Sequence, residues 1–159
     1  MDIEKAHARP LAQMVGEDEE ETQLFKVAAE DALTYLKSNA WCKSVVESYL
    51  CFGIGGVVEV FLFRIDRLTS DEKTIDEWLW VIVGDLPFAY LVTDDAKSAK
   101  EALHAYCDLM QEWVNAVLSN GDLSDVYPVR VEPTAENAAQ LSARIEFLLE
   151  EIIPLASNR

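Results

Sequence analysis

The chain lacks any apolar run long enough to cross a bilayer. A membrane-spanning helix needs about 20 consecutive apolar residues, and no stretch of the 159-residue sequence approaches that length. The first residues also lack the basic segment followed by an apolar core that marks a secretory signal peptide. These two absences predict a cytoplasmic protein that does not bind a membrane.

Cysteine and histidine are scarce. Cys42, Cys51 and Cys107 are widely spaced, none belongs to a C-x-x-C pair, and the chain has two histidines. A disulfide framework or a zinc site needs several such residues at short, regular spacings. The sequence therefore predicts reduced thiols, no metal and no other cofactor.

Positive charge is also in short supply. Thirteen Lys and Arg face 29 Asp and Glu, which gives a formal net charge of −16. Residues 101–159 contribute most, with ten acidic and three basic side chains. A surface of this sign repels nucleic acid and anionic membranes and attracts basic proteins. We expect a basic protein partner and no nucleic acid.

Half of the residues are apolar, so the charge belongs to a folded chain and not to a disordered acidic tail. Apolar residues recur at helical spacing over 22–38, between Ser98 and Asn120, and from Thr134 to the residue before Pro154. Segments rich in β-branched and aromatic residues predict strands over 45–52, 57–65, 77–83 and 88–93, although 43–47 also fits a helical turn.

This order of elements predicts an α+β fold. We expect a four-stranded antiparallel meander sheet, with one N-terminal and two C-terminal helices packed on it. Strand 77–83 is apolar on both of its faces, which is typical of a central strand covered on both sides. The predicted domain spans 22–155, preceded by a weakly ordered acidic lead-in over 1–21 and followed by a tail over 156–159.

Two glycine-containing turns separate the strands. Gly53-Ile54-Gly55-Gly56 lacks the spacing of a phosphate-binding loop and is followed by a strand, so it predicts a hairpin turn with a positive φ. Gly84-Asp85-Leu86-Pro87 predicts the second hairpin turn. Neither turn carries a catalytic signature.

No nucleophile, base and orienting group occur together in a recognisable catalytic motif. Asp85, Asp94 and Asp95 lie at predicted strand ends, where loops often present functional groups, and His104 lies within a predicted helix. These residues leave open a small enzyme or ligand-binding domain that uses them as acids or bases. An oligomeric scaffold protein is a further alternative.

The segment WLWVIVGDLPFAYLVTD at 78–94, together with 41–43, 49–63, 112–114 and 150–154, resembles a family of small bacterial proteins for which no activity is established. The resemblance implies a bacterial, cytoplasmic, single-domain protein and assigns no catalytic residue.

Charge, size and the missing catalytic motif favour a protein-binding function. Our hypothesis is an immunity protein or antitoxin that covers the active site of a basic cognate toxin, without catalysis of its own. The acidic side chains that we expect to contact this partner are Asp85, Asp94, Asp95, Glu101, Asp108, Glu112, Glu150 and Glu151.

Overall fold

The computed structural model describes residues 1–156. The helices of this part are α1 (Glu19–Lys37), α2 (Ala99–Leu118) and α3 (Ala135–Phe147), with a π-helical turn (Leu148–Ile152) and a 3-10 turn (Ile153–Leu155) after α3. The strands are β1 (Arg9–Pro10), β2 (Cys42–Ile54), β3 (Val58–Leu68), β4 (Thr74–Gly84) and β5 (Ala89–Val92). A 3-10 turn (Leu11–Gln13) follows β1. Of the predicted tail, 157–159 lie outside the described residues.

The strands form one antiparallel sheet in the order β1-β2-β3-β4-β5. The prediction of an α+β fold with an antiparallel sheet and three helices is confirmed, but the predicted number of four strands is wrong. In the missed strand, Arg9 pairs with Leu50 and Pro10 with Tyr49. A two-residue strand is too short to show the alternation that identifies strands. Proline also reads as a breaker, although it is tolerated at a sheet edge.

The sheet lies between two helical layers. α1 packs on the face that contains Phe61 and Phe63, and α2 and α3 cover the face that contains Val60 and Leu62. Because successive side chains of a strand point to opposite faces, a strand between two layers is apolar at nearly every position. The prediction that 77–83 is a central strand is confirmed, since β4 pairs with both β3 and β5.

The segment before α1 contributes to the core and to the start of the helix. Ala6 and Met14 are buried. α1 begins at Glu19, and its N-cap Asp18 accepts a hydrogen bond from the Glu21 amide at 2.8 Å. Its first turn contains three glutamates, whose negative charge is stabilised there by the helix dipole.

Both ends of α2 confirm the capping signals of the sequence. The Ser98 hydroxyl accepts a hydrogen bond from the Glu101 amide at 3.2 Å, and the Glu101 carboxylate accepts one from the Lys97 amide at 2.6 Å. At the other end, Asn120 has a φ of 52°, and the Gly121 amide donates back to a carbonyl of the last turn. This Schellman arrangement ends the helix.

The two predicted hairpin turns meet at one end of the sheet. Gly56 has a φ of 77°, which confirms the positive φ expected in the first turn. Gly84, the last residue of β4, pairs with Val58, and the Asp85 amide donates to the Val57 carbonyl at 3.1 Å. The second turn is therefore built directly against the end of the first hairpin.

One side chain covers the outer edge of β5. The Tyr127 hydroxyl, from the loop between α2 and α3, accepts a hydrogen bond from the Tyr90 amide at 3.0 Å and donates to the Tyr90 carbonyl at 3.3 Å. The Tyr35 hydroxyl of α1 lies 3.2 Å from it. Burial raises the pKa of Tyr127, which keeps its hydroxyl protonated. The hydroxyl thus occupies groups that another strand could pair with.

We expect Tyr127→Phe to lower the free energy of unfolding by about 1 to 2 kcal/mol, because the Tyr90 amide and carbonyl lose their partner. Tyr35→Phe is the matched control. It removes one hydroxyl from the same cluster but leaves the Tyr90 groups paired, so a smaller loss is expected. Urea denaturation of the three proteins measures the difference, and equal losses in both variants would contradict the proposed role of Tyr127.

Candidate protein-binding site

Asp85 lies in the turn between β4 and β5 and is bound by α3. One of its carboxylate oxygens is 2.5 Å from Nη2 of Arg144, while its side chain remains 74% exposed. The pair borders a cleft of about 380 Å³, whose walls include Pro87, Asn137 and Gln140. Asp85 therefore neutralises a basic side chain of α3, and a partner's cation would have to compete with Arg144 for it.

Asp94 and Asp95 lie in the loop between β5 and α2, where both are exposed. Asp85 precedes β5 and Asp94 follows it, so the extended strand holds the two carboxylates apart. His104 is exposed on α2. Because acid–base groups must reach the same substrate atoms, Asp85 and Asp94 do not form one acid–base site.

The acidic residues of α2 divide into a cap and an exposed pair. Glu101 is engaged at the helix start by the Lys97 amide. Asp108 and Glu112 are exposed, and their spacing of four residues places them on the same side of the helix. Of the α2 residues predicted to contact a partner, Asp108 and Glu112 are the two that the fold leaves accessible in mid-helix.

A groove of about 250 Å³ runs between α2 and the end of α3. It is lined by Gln111, Ser142, Ile145, Glu146, Leu149 and Glu150. Of the residues predicted to contact a partner, Glu150 lines this groove, whereas Asp108 and Glu112 flank Gln111 in the sequence of α2 and are not among the lining residues. Glu151 is exposed in the same π-helical turn. We name Asp108, Glu112, Glu146 and Glu150 the acidic helical face.

The acidic helical face carries little compensating charge. α2, α3 and the π-helical turn contain seven Asp and Glu against Lys100 and Arg144, and Arg144 is paired with Asp85. Among residues 1–156, none of the four carboxylates of the face takes part in an ion pair. Their negative potential therefore extends into solvent over about one Debye length, near 8 Å at physiological salt.

Sequence reasoning missed the exposed apolar side chains beside these carboxylates. Phe147 is 38% and Leu149 43% exposed. The signal was available, because the core positions of this helix are spaced by three or four residues, and neither Phe147 nor Leu149 falls on that stripe. Large apolar side chains exposed among polar ones are common at protein interfaces.

The amides of the glycine turn between β2 and β3 are occupied by the chain's own carboxylates. The Gly55 amide donates to Glu21 at 3.1 Å, and the Gly56 amide donates to Glu59 at 3.0 Å. A phosphate would have to displace both carboxylates, in agreement with a structural role for the turn. Glu59 is 1% exposed, and burial, with Asp31 and Glu21 adding to it, raises its pKa to about 7.

A cavity of about 930 Å³ lies between the N-terminal segment and the end of β2. His7, Arg9, Glu17 and Cys51 are among its lining residues. Burial raises the pKa of Cys51 to about 12, so this thiol is protonated at neutral pH and is a poor nucleophile. The cavity mixes both signs of charge and does not favour one ligand.

Within residues 1–156, no three or more His, Cys, Asp and Glu side chains are grouped to hold a metal ion. Over the same range, no helix has both the length and the apolar character needed to cross a membrane. Comparisons of the chain with protein-family models, curated proteins and solved structures found no match.

Proposed function

We propose that this protein is an acidic protein-binding module of the immunity or antitoxin type, which neutralises a basic toxin by covering its active site. The observation that carries the proposal is the acidic helical face, whose four carboxylates form no ion pair among residues 1–156. Two of them, Glu146 and Glu150, line a groove beside the exposed Leu149. We assign the other predicted acidic residues to the periphery of the interface: Asp85, Asp94, Asp95, Glu101 and Glu151.

Charge and apolar area contribute differently to such a complex. The net charge of −16 speeds encounter with a basic partner, and steering of this kind weakens as salt rises. Affinity depends on a few buried anchors near the centre of an interface, and Phe147 and Leu149 are suited to that role. The same charge disfavours nucleic acid and anionic membranes.

The proposed location is the bacterial cytoplasm, where an immunity protein or antitoxin meets a toxin that acts inside the cell. In such a complex the carboxylates occupy the basic surface with which a toxin would bind its nucleic acid or other anionic substrate. Inhibition then requires no catalytic residue in the inhibitor, only complementary charge and a fitted contact.

The test is co-expression with the products of neighbouring genes. Each neighbour is expressed alone and with this protein, and we expect one neighbour to arrest growth alone and to be tolerated in the pair. The purified pair should form a complex that weakens as salt is raised. If no neighbour is toxic, and none binds even at low salt, the proposal fails.

Paired charge reversals locate the contact. We expect Glu146→Lys with Glu150→Lys to weaken the complex about tenfold or more. Glu30→Lys with Asp71→Lys is the matched control, since it changes net charge equally at exposed positions on α1 and in the β3–β4 turn. Equal weakening by both pairs would show that net charge alone, and not the acidic helical face, drives binding.

A further inference from the structure

The groove between α2 and α3 differs from a small-molecule site. Its volume of about 250 Å³ is below the range of roughly 300 to 1,000 Å³ that is usual for ligand pockets. Its lining comes from two packed helices, so its shape follows from helix–helix packing and not from a flexible loop. A space of this size suits one or two side chains of a protein partner.

The groove has an apolar wall and a charged rim. Ile145 is buried at its base and Leu149 is 43% exposed beside it. Glu146 and Glu150 border the same groove and are exposed. An apolar side chain placed against Leu149 would therefore lie in the same groove as the carboxylates of Glu146 and Glu150.

Leu149 stands out of the core because it lies off the stripe of buried positions that runs along α3 and into the turn after it. α3 ends in a π-helical turn, in which the Ile153 amide donates to the Leu148 carbonyl five residues earlier. Leu148 and Ile152 are buried at the two ends of this turn, while Leu149 between them is exposed.

We propose that this groove binds a basic amphipathic segment, with an apolar side chain of the partner against Leu149 and flanking Lys or Arg side chains paired with Glu146 and Glu150. Charge complementarity selects this occupant. Among residues 1–156, the carboxylates of the acidic helical face are free of ion pairs, so an uncharged or acidic segment would leave them without compensation. The inference deepens the proposed function, and it rests on that proposal for its biological role.

A helix is the form of segment that meets both requirements. Residues three and four positions apart in a helix lie side by side, so one apolar residue can be flanked by basic residues on both sides along the groove. Binding of an amphipathic helix by an apolar groove is a recurring mode of recognition.

The test uses two synthetic helical peptides with equal charge. One carries Lys and Leu at amphipathic spacing, and in the other every Leu is replaced by Ser. We expect the Lys/Leu peptide to bind at physiological salt and to shift the NMR signals of the Ile145 and Leu149 methyl groups. The Lys/Ser peptide should bind only at low salt.

A pair of variants distinguishes binding in the groove from nonspecific binding to exposed apolar residues. Leu149→Ser is expected to weaken the Lys/Leu peptide about tenfold, as loss of one buried apolar contact implies. Val27→Ser is the control, because Val27 is an exposed apolar residue on α1, across the sheet. Denaturation curves confirm that both variants fold. If Leu149→Ser is unstable, the charge variant Glu150→Gln is used in its place, and it should reduce the salt dependence of binding of the Lys/Leu peptide.

Two outcomes would overturn the inference: equal affinity for both peptides, or equal weakening by Leu149→Ser and Val27→Ser. Neither outcome changes the result expected from the co-expression assay, because a toxin could still be neutralised through another surface. Conversely, specific binding of the Lys/Leu peptide without a toxic neighbour would support the groove and refute the immunity or antitoxin role.

Discussion

Replacing Gly84 with alanine is expected to lower the free energy of unfolding by about 3 kcal/mol or more. Gly84 has a φ of 143°, a backbone conformation that costs about 1 to 3 kcal/mol for a residue with a side chain. A Cβ atom there would also lie 2.3 Å from the Val57 carbonyl oxygen and 2.8 Å from the Val58 Cα. Because both are backbone atoms, relief requires the two hairpins to move apart.

The same movement would break the hydrogen bond from the Asp85 amide to Val57 and displace the turn that carries Asp85. Gly121→Ala is the control, because a Cβ at Gly121 would meet chiefly the Ser119 hydroxyl at 3.3 Å, which can rotate away. Urea denaturation should place this control within about 1 kcal/mol of the native protein. A loss as small in Gly84→Ala would show that the two hairpins are not packed as tightly as the distances indicate.

Local signals predicted most of the secondary structure. The capping residues Ser98 and Asn120 bounded α2, and the apolar character of both faces of 77–83 predicted a central strand, because these signals act within a few residues. β1 was missed since its existence depends on pairing with Leu50, which is distant in the sequence. The turn at Gly84 was predicted, but its close approach to Val57 was not, since spatial proximity between hairpins leaves no local pattern.

The candidate site was predicted only in part. Residue type identified Asp108, Glu112 and Glu150 as acidic candidates. The sequence alone does not show which carboxylates form ion pairs within the fold. Asp85 pairs with Arg144, 59 residues away, and no spacing rule reveals such a contact. The groove at Leu149 depends on how α2 packs on α3 and on a π-helical turn, neither of which a helical periodicity specifies.

Glu59 is the one buried charged residue among residues 1–156. It lies on β3, on the face covered by α1, and its carboxylate accepts the Gly56 amide at 3.0 Å. Burial in apolar surroundings disfavours the charged form, and Asp31 and Glu21 of α1 add negative charge nearby, so its pKa rises from 4.5 to about 7. The one hydrogen bond from the Gly56 amide does not offset these effects.

We expect Glu59→Gln to stabilise the protein in a pH-dependent way. At about pH 4.5 and below, the carboxyl group is largely protonated in the folded state and the substitution changes little. As pH rises from 4.5 to about 7, the unfolded chain loses this proton first, so the native free energy of unfolding falls by about 2 to 3 kcal/mol relative to the variant and then levels off. The amide side chain of the variant avoids the charge and keeps an oxygen for the Gly56 amide.

Denaturation curves of both proteins at about pH 4.5, 6 and 8 measure the difference, and Glu30→Gln, which alters an exposed carboxylate on α1, is the control. The control should stay within about 0.5 kcal/mol of the native protein at each pH. If Glu59→Gln is instead less stable at pH 8, the charged carboxylate stabilises the glycine turn by more than its burial costs. The gain expected at pH 8 would mean that the charged Glu59 carboxylate, although it accepts the Gly56 amide in the β2–β3 turn, lowers the free energy of unfolding. Glu59 would then differ from the exposed acidic residues, which carry most of the net charge.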